Sequence, residues 1–190
     1  DARTSGYDAG HIPGAINLKW TDFVDNSTRL LSASEIGKKL GAAGIGRNKT
    51  YVIYDDTVTA WGAAGRIFWM LEYMGCSDVH ILNGGWDLWI AENRKTETNS
   101  NTLPPTIFIP FVKKARLATK DHIAQRLEDD DFVIIDSRTD EEFIGWQLYG
   151  EARGGHIPNA VQLPYESFFV SDNKTIISYN TLKDLFYNKG

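Results

Sequence analysis

The residues best suited to chemistry stand in a pattern that occurs twice. Asp1-Ala2-Arg3 is followed by Gly10-His11-Ile12-Pro13-Gly14-Ala15, and Asp136-Ser137-Arg138 by Gly155-His156-Ile157-Pro158-Asn159-Ala160. An arginine near a strand end can draw an anion, a histidine can move a proton, and a carboxylate can serve as acid or base or hold the arginine. The two histidines are 145 residues apart and the two aspartates 135, so the second copy carries ten extra residues between its halves. Repetition at that length indicates two copies of one domain rather than a solenoid of short units.

Each of these residues also has a plainer role. A histidine between a glycine and a proline turn reads as a ring that holds loop backbone, ahead of one that transfers protons. Asp-x-Arg reads first as an internal ion pair or backbone anchor. The functional reading places Arg138 at the carboxyl end of a strand, where open parallel sheets bind ligands. Glu142 and the insertion Gly145–Arg153, with Arg153 close to His156, would then rim an anion pocket, while the acidic run Asp140-Glu141-Glu142 works against it. His80 and His122 read as structural or solvated.

Cys76 is the only thiol and lies in a helix-to-strand turn, Gly75-Cys76-Ser77-Asp78, so it reads as a structural cysteine. Asp55 and Asp56 are adjacent loop acids with no histidine or cysteine beside them; solvated side chains are expected rather than a metal site or an acid–base pair. Gly84-Gly85 lacks the wider pattern of a phosphate loop and reads as a turn. The tryptophans Trp61, Trp69, Trp86 and Trp89 read as packing residues.

The elements that position these groups alternate between strand and helix. Ser32-x-x-Glu35 is a capping box opening a helix over Ala33–Ala43, closed by Gly44. Strand Tyr51–Tyr54, helix Trp61–Met74, strand Val79–Leu82 and helix Trp86–Glu92 follow. Arg94–Pro105 is polar and proline-containing, a linker, and Thr106–Val112 should run extended over a domain surface. Thr119 caps a helix over Lys120–Leu127; Phe132–Ile135 is a buried strand running into Asp136; Thr181–Tyr187 is an amphipathic helix. The domains are therefore set at 1–98 and 114–190, with a linker at 99–113.

These strings, with Val79-His80-Ile81-Leu82-Asn83-Gly84-Gly85-Trp86, resemble the tandem-domain members of the rhodanese (thiosulfate sulfurtransferase) family over nearly the whole chain. The resemblance implies an α/β fold, a three-layer α/β/α parallel sheet in two tandem copies. It implies that a cysteine ends the central strand and begins a loop into a helix N-terminus, where backbone N–H groups and the helix dipole stabilise a thiolate and its persulfide. Asp55 stands where active domains carry that cysteine, so the first loop, Asp55 and Asp56 included, is degenerate. The nucleophilic cysteine of the second copy is expected after Gly190. By the same resemblance both copies read as truncated: the first lacks a strand before Asp1 and the second its later half. A chain of that kind should be poorly folded alone and completed by a complementary polypeptide segment.

The resemblance implies transfer of a sulfane sulfur from a thiosulfate-like anion to a thiol or cyanide, with no cofactor and no metal. Two other readings stand beside it: a non-catalytic binding or regulatory module, and an enzyme similar to Cdc25-type phosphatases or arsenate reductases. Composition agrees with a globular protein: 190 residues, 42% hydrophobic, 24% charged. A net charge of −5 argues against nucleic acid as the main partner, and no apolar run reaches membrane-span length. A single cysteine leaves the compartment, cytoplasmic or periplasmic, open.

Overall fold

A computed structural model describes residues 1–57, 62–170 and 175–189, which divide into two units, Asp1–Leu117 and Ala118–Gly190. In the first, the expected capping box forms: Ser32 Oγ accepts from Glu35 N–H at 3.3 Å while Glu35 accepts from Ser32 N–H at 3.1 Å. It starts helix α1, Ala33–Ala42, one residue shorter than predicted. Strands β1, Tyr51–Ile53, and β2, Val79–Ile81, pair in parallel with Tyr51 opposite Val79, and helix α2, Ala63–Tyr73, makes the crossover. The predicted first turn of that helix, at Trp61, lies outside the described residues. Helix α3, Gly85–Ala91, follows the Gly84-Gly85 turn.

The core lies where α1 and α2 face the β1–β2 ladder. Ile36 and Leu40 are spaced i, i+4 on α1; Ile67, Met70, Leu71 and Met74 follow i, i+3, i+4, i+7 on α2, and all six are buried with Cys76. Burying one such side chain contributes about 1.5–3 kcal/mol. Residues 106–113 run extended across these helices, as their weak alternation predicts: Thr106 N–H donates to Gly41 O at 2.9 Å, Phe111 N–H to Met74 O at 3.0 Å and Lys113 N–H to Tyr73 O at 2.8 Å. Phe108 points inward and Ile107 and Ile109 outward. The approach is so close that a Cβ on Gly41 would lie 2.5 Å from Thr106 O.

In the second unit, Thr119 caps helix α4, Lys120–Ala124, which ends three residues before the predicted Leu127. The expected strand Phe132–Ile135 is mostly outside the ladder: only Ile135–Asp136 forms β3, parallel to β4, Val161–Gln162. Ile134 O still accepts from Val161 N–H at 2.8 Å, but Val133 is exposed. Helix α5, Asp140–Phe143, has its own capping box between Thr139 and Glu142, and Ser178 caps α6, Tyr179–Tyr187. Among the described residues of this unit, Leu163 alone is a fully buried hydrophobe. Both units are α/β, with parallel strands joined through helical crossovers.

Candidate functional site

The repeated motif builds the same clamp twice. Arg3 Nη2 donates to Asp1 Oδ2 at 2.6 Å and to Gly10 O at 2.6 Å, with Nε 3.1 Å from both carboxylate oxygens. Arg138 Nη2 donates to Asp136 Oδ2 at 2.6 Å and to Gly155 O at 2.9 Å, with Nε 2.9 and 3.1 Å from the oxygens. The fork geometry of a guanidinium is what lets one side chain hold a carboxylate and a carbonyl together. Arg3 thus ties Asp1, and Arg138 ties the end of β3, to the glycine that opens Gly-His-Ile-Pro. Arg3 is sealed beneath Trp86, whose ring centroid is 4.4 Å away, whereas the Arg138 side chain is 39% exposed. The hydrogen bonds from Arg138 hold the Asp136 carboxyl below the usual carboxylate range.

Both histidines anchor backbone. His11 Nδ1 is 2.9 Å from Tyr7 O and its ring stacks on Tyr7 at 3.8 Å; His156 Nδ1 is 2.8 Å from Phe143 O and stacks on Phe143 at 3.7 Å. Because a carbonyl only accepts, Nδ1 carries the hydrogen and Nε2 presents the lone pair in the neutral ring. His11 Nε2 is 3.3 Å from Asn101 Nδ2 and 3.4 Å from Glu97 Oε1. Glu97 and Asn101 were not singled out by the sequence; Glu97 pairs with His11 as an antiparallel bridge and accepts from Gly14 N–H at 2.6 Å. The only hint in the sequence is that a buried motif histidine needs a partner for its second nitrogen. His156 Nε2 has no partner among the described residues and its side chain is exposed.

At the carboxyl end of β3 a cavity of about 510 Å³ is lined by Asp136, Ser137, Arg138, Arg153, Gly154, Gly155 and His156, with apolar walls from Ile134, Ile135, Ile157 and Ala160. The fold therefore brings three of the four expected pocket residues, Arg138, Arg153 and His156, to one rim. Arg153 makes no ion pair among the described residues. Glu142 does not line this cavity: its Oε2 accepts from Thr139 N–H at 3.0 Å as the cap of α5. The inserted segment closes on itself at a glycine pair, Gly145 and Gly154. A Cβ on Gly154 would lie 2.5 Å from Gly145 O, and one on Gly145, at φ +85°, would lie 2.6 Å from Gly155 N. Trp146, within it, is 83% exposed.

The corresponding loop of the first unit corrects one expectation. Asp55 is not solvated: it is buried, and its Oδ2 accepts from Ala64 N–H at 2.8 Å at the start of α2. Burial, reinforced by the neighbouring Asp56 and Asp87, pushes its carboxyl up despite that bond. The acid occupies the helix N-terminus and supplies the acceptor that orphan N–H groups there require. Cys76 is fully buried, and burial pushes its thiol up, the reverse of what a nucleophile needs. Among the described residues no three His, Cys, Asp or Glu side chains converge to hold a metal, and no helix is long and apolar enough to cross a membrane.

Residues 1–92 and 119–189 both match the Rhodanese-like domain family. The chain belongs to that family. It is 34% identical over 174 residues to a thiosulfate sulfurtransferase of Corynebacterium glutamicum, a match taking in 84% of this chain and 56% of that protein. It is 31% identical over 193 residues to the sulfur carrier protein TtuD of Thermus thermophilus, covering 95% of this chain and 67% of that one. The chain thus spans little more than half to two thirds of the length of these relatives. Among solved structures it superposes on the anaerobic ergothioneine biosynthesis enzyme from Chlorobium limicola with a TM-score of 0.85 at 24% identity, over 100% of this chain and 51% of that one. That likeness establishes the fold.

Proposed function

We propose that this chain is part of a sulfurtransferase of the thiosulfate type, in which a sulfane sulfur passes through a cysteine persulfide. The observation that carries the reading is the cavity at the end of β3, where Arg153 makes no ion pair among the described residues and the Asp136–Arg138 clamp fixes the rim. It is supported by the relatives named thiosulfate sulfurtransferases. Arg153 supplies the charge that draws an anionic donor, while Arg138, already committed to Asp136 and Gly155, positions the glycine backbone and His156. Glu142 acts at a distance from the anion, by holding the start of α5.

The chemistry needs a thiolate at a helix N-terminus. The thiolate attacks the outer sulfur of thiosulfate, the S–S bond breaks, and sulfite leaves with the electron pair. A cyanide or thiolate acceptor then attacks the persulfide's outer sulfur and the cysteine leaves as thiolate, completing a ping-pong cycle. Cys76 cannot serve, being buried with a raised pKa and remote in sequence from any such loop. The reading therefore requires a nucleophilic cysteine other than Cys76, on a loop that leads into a helix N-terminus.

The test is a thiosulfate–cyanide assay on the full-length protein, with intact mass recorded after thiosulfate alone. Thiocyanate production, with gain of one sulfur atom on a cysteine other than Cys76, is expected. No thiocyanate and no mass gain would overturn the reading. That outcome would favour a binding module, for which the acid-filled loop at Asp55 is the supporting observation.

A further inference from the structure

A second cavity, in the first unit, has a composition unlike that at β3. It encloses about 320 Å³ and is walled by Trp20, Phe23, Leu30, Arg66, Trp69 and Met70. Among the described residues no carboxylate lines it, and Arg66 is the only charged group that does. The Arg66 guanidinium lies face-on over the Trp20 ring, 4.2 Å from the centroid, and makes no ion pair among the described residues. Stacking engages the face of a guanidinium and leaves its edge N–H groups free to bind a carboxylate or sulfonate through two parallel bonds.

The walls are fixed before any ligand arrives. Trp69 Nε1–H donates to Arg116 O at 2.6 Å, which sets the indole plane. The rim hairpin is closed by the Val24–Leu30 bridge, and its turn by Asp25 Oδ1, which accepts from Ser27 N–H at 2.8 Å and Arg29 N–H at 3.0 Å. A site already in its binding geometry loses little entropy on association. Its volume matches the smaller ligand pockets of proteins, enough for one or two fused rings.

We propose that this cavity binds an aromatic monoanion, an aryl carboxylate or sulfonate, with its ring against the indoles and its anion on the edge of Arg66. The site is separate from the β3 cavity and stands whether or not sulfur transfer is the activity. The test titrates the full-length protein, with the indole N–H signals of Trp20 and Trp69 resolved by 15N NMR, with naphthalene-2-sulfonate and with the neutral naphthalene-2-sulfonamide. Shifts centred on Trp20 and Trp69 are expected, with the sulfonate binding about tenfold tighter, the effect of one charge-assisted bond pair. In Arg66→Met the gap between the probes should close. In Val24→Trp, which fills the cavity from the rim, neither probe should bind. Equal affinity of the two probes, an unchanged gap in Arg66→Met, or shifts confined to other indoles would overturn the proposal. So would concentration-dependent self-association that buries the same two indoles, because the occupant would then be a second copy of the chain.

Discussion

His11 and His156 make the same hydrogen bond through Nδ1, to Tyr7 O and Phe143 O respectively, yet His11 is 0% exposed and His156 faces solvent. The difference lies on the far side of the ring. Glu97 and Asn101 cover Nε2 of His11, and nothing among the described residues covers Nε2 of His156. One motif thus serves as a sealed clasp in the first unit and an open one in the second.

Removing the two rings should have unequal effects. His11→Ala removes a buried hydrogen bond to Tyr7 O and an aromatic stack and leaves a cavity at a fully buried position, a loss of about 2–4 kcal/mol. His156→Ala should cost under about 1 kcal/mol. Urea unfolding of both variants against the parent chain measures the difference, and equal losses would refute it.

Two glycines in unit one should respond to alanine with opposite signs. Gly41 faces Thr106 O at a distance that leaves no room for a methyl, so Gly41→Ala should cost at least about 2 kcal/mol and release residues 106–113 to proteolysis. Gly65 lies within α2 with open space beyond it, so Gly65→Ala should add about 0.5–1 kcal/mol. Melting temperatures and limited proteolysis of the two variants give the comparison.

The pocket assignment makes a kinetic prediction for the full-length protein. Arg153→Ala should lower kcat/KM for thiosulfate about tenfold, chiefly through KM, and the loss should shrink at high salt. Arg138→Lys should act differently, lowering stability and kcat together, because lysine cannot span Asp136 and Gly155 O at once. Identical profiles for the two variants would count against separate roles.

Much of this was legible in the sequence. The capping box at Ser32, the parallel strands at Tyr51 and Val79 and the duplicated motif depend on residues close in the chain, where local rules act. The backbone-anchoring role of both histidines follows from their place between glycine and proline. Asp55 was misjudged because its acceptor role depends on where the N–H of Ala64 points, and that is set by the helix start. Glu97 and Asn101 were missed because they meet His11 from 86 and 90 residues away, through an extended segment with no periodic signal. The shortness of β3 was hidden for a related reason: Phe132–Ile135 has strand composition, but a ladder runs only as far as its facing strand, and β4 is two residues long.

The glycine pair at the base of the 145–153 insertion has one more consequence. Gly145 and Gly154 bring the two ends of the loop into backbone contact, so the residues between them enter and leave at nearly one point. The segment is a detachable module: its tip can be lengthened, shortened or exchanged without moving the histidine motif that follows. A foreign peptide grafted between the two glycines should leave the surrounding scaffold in register.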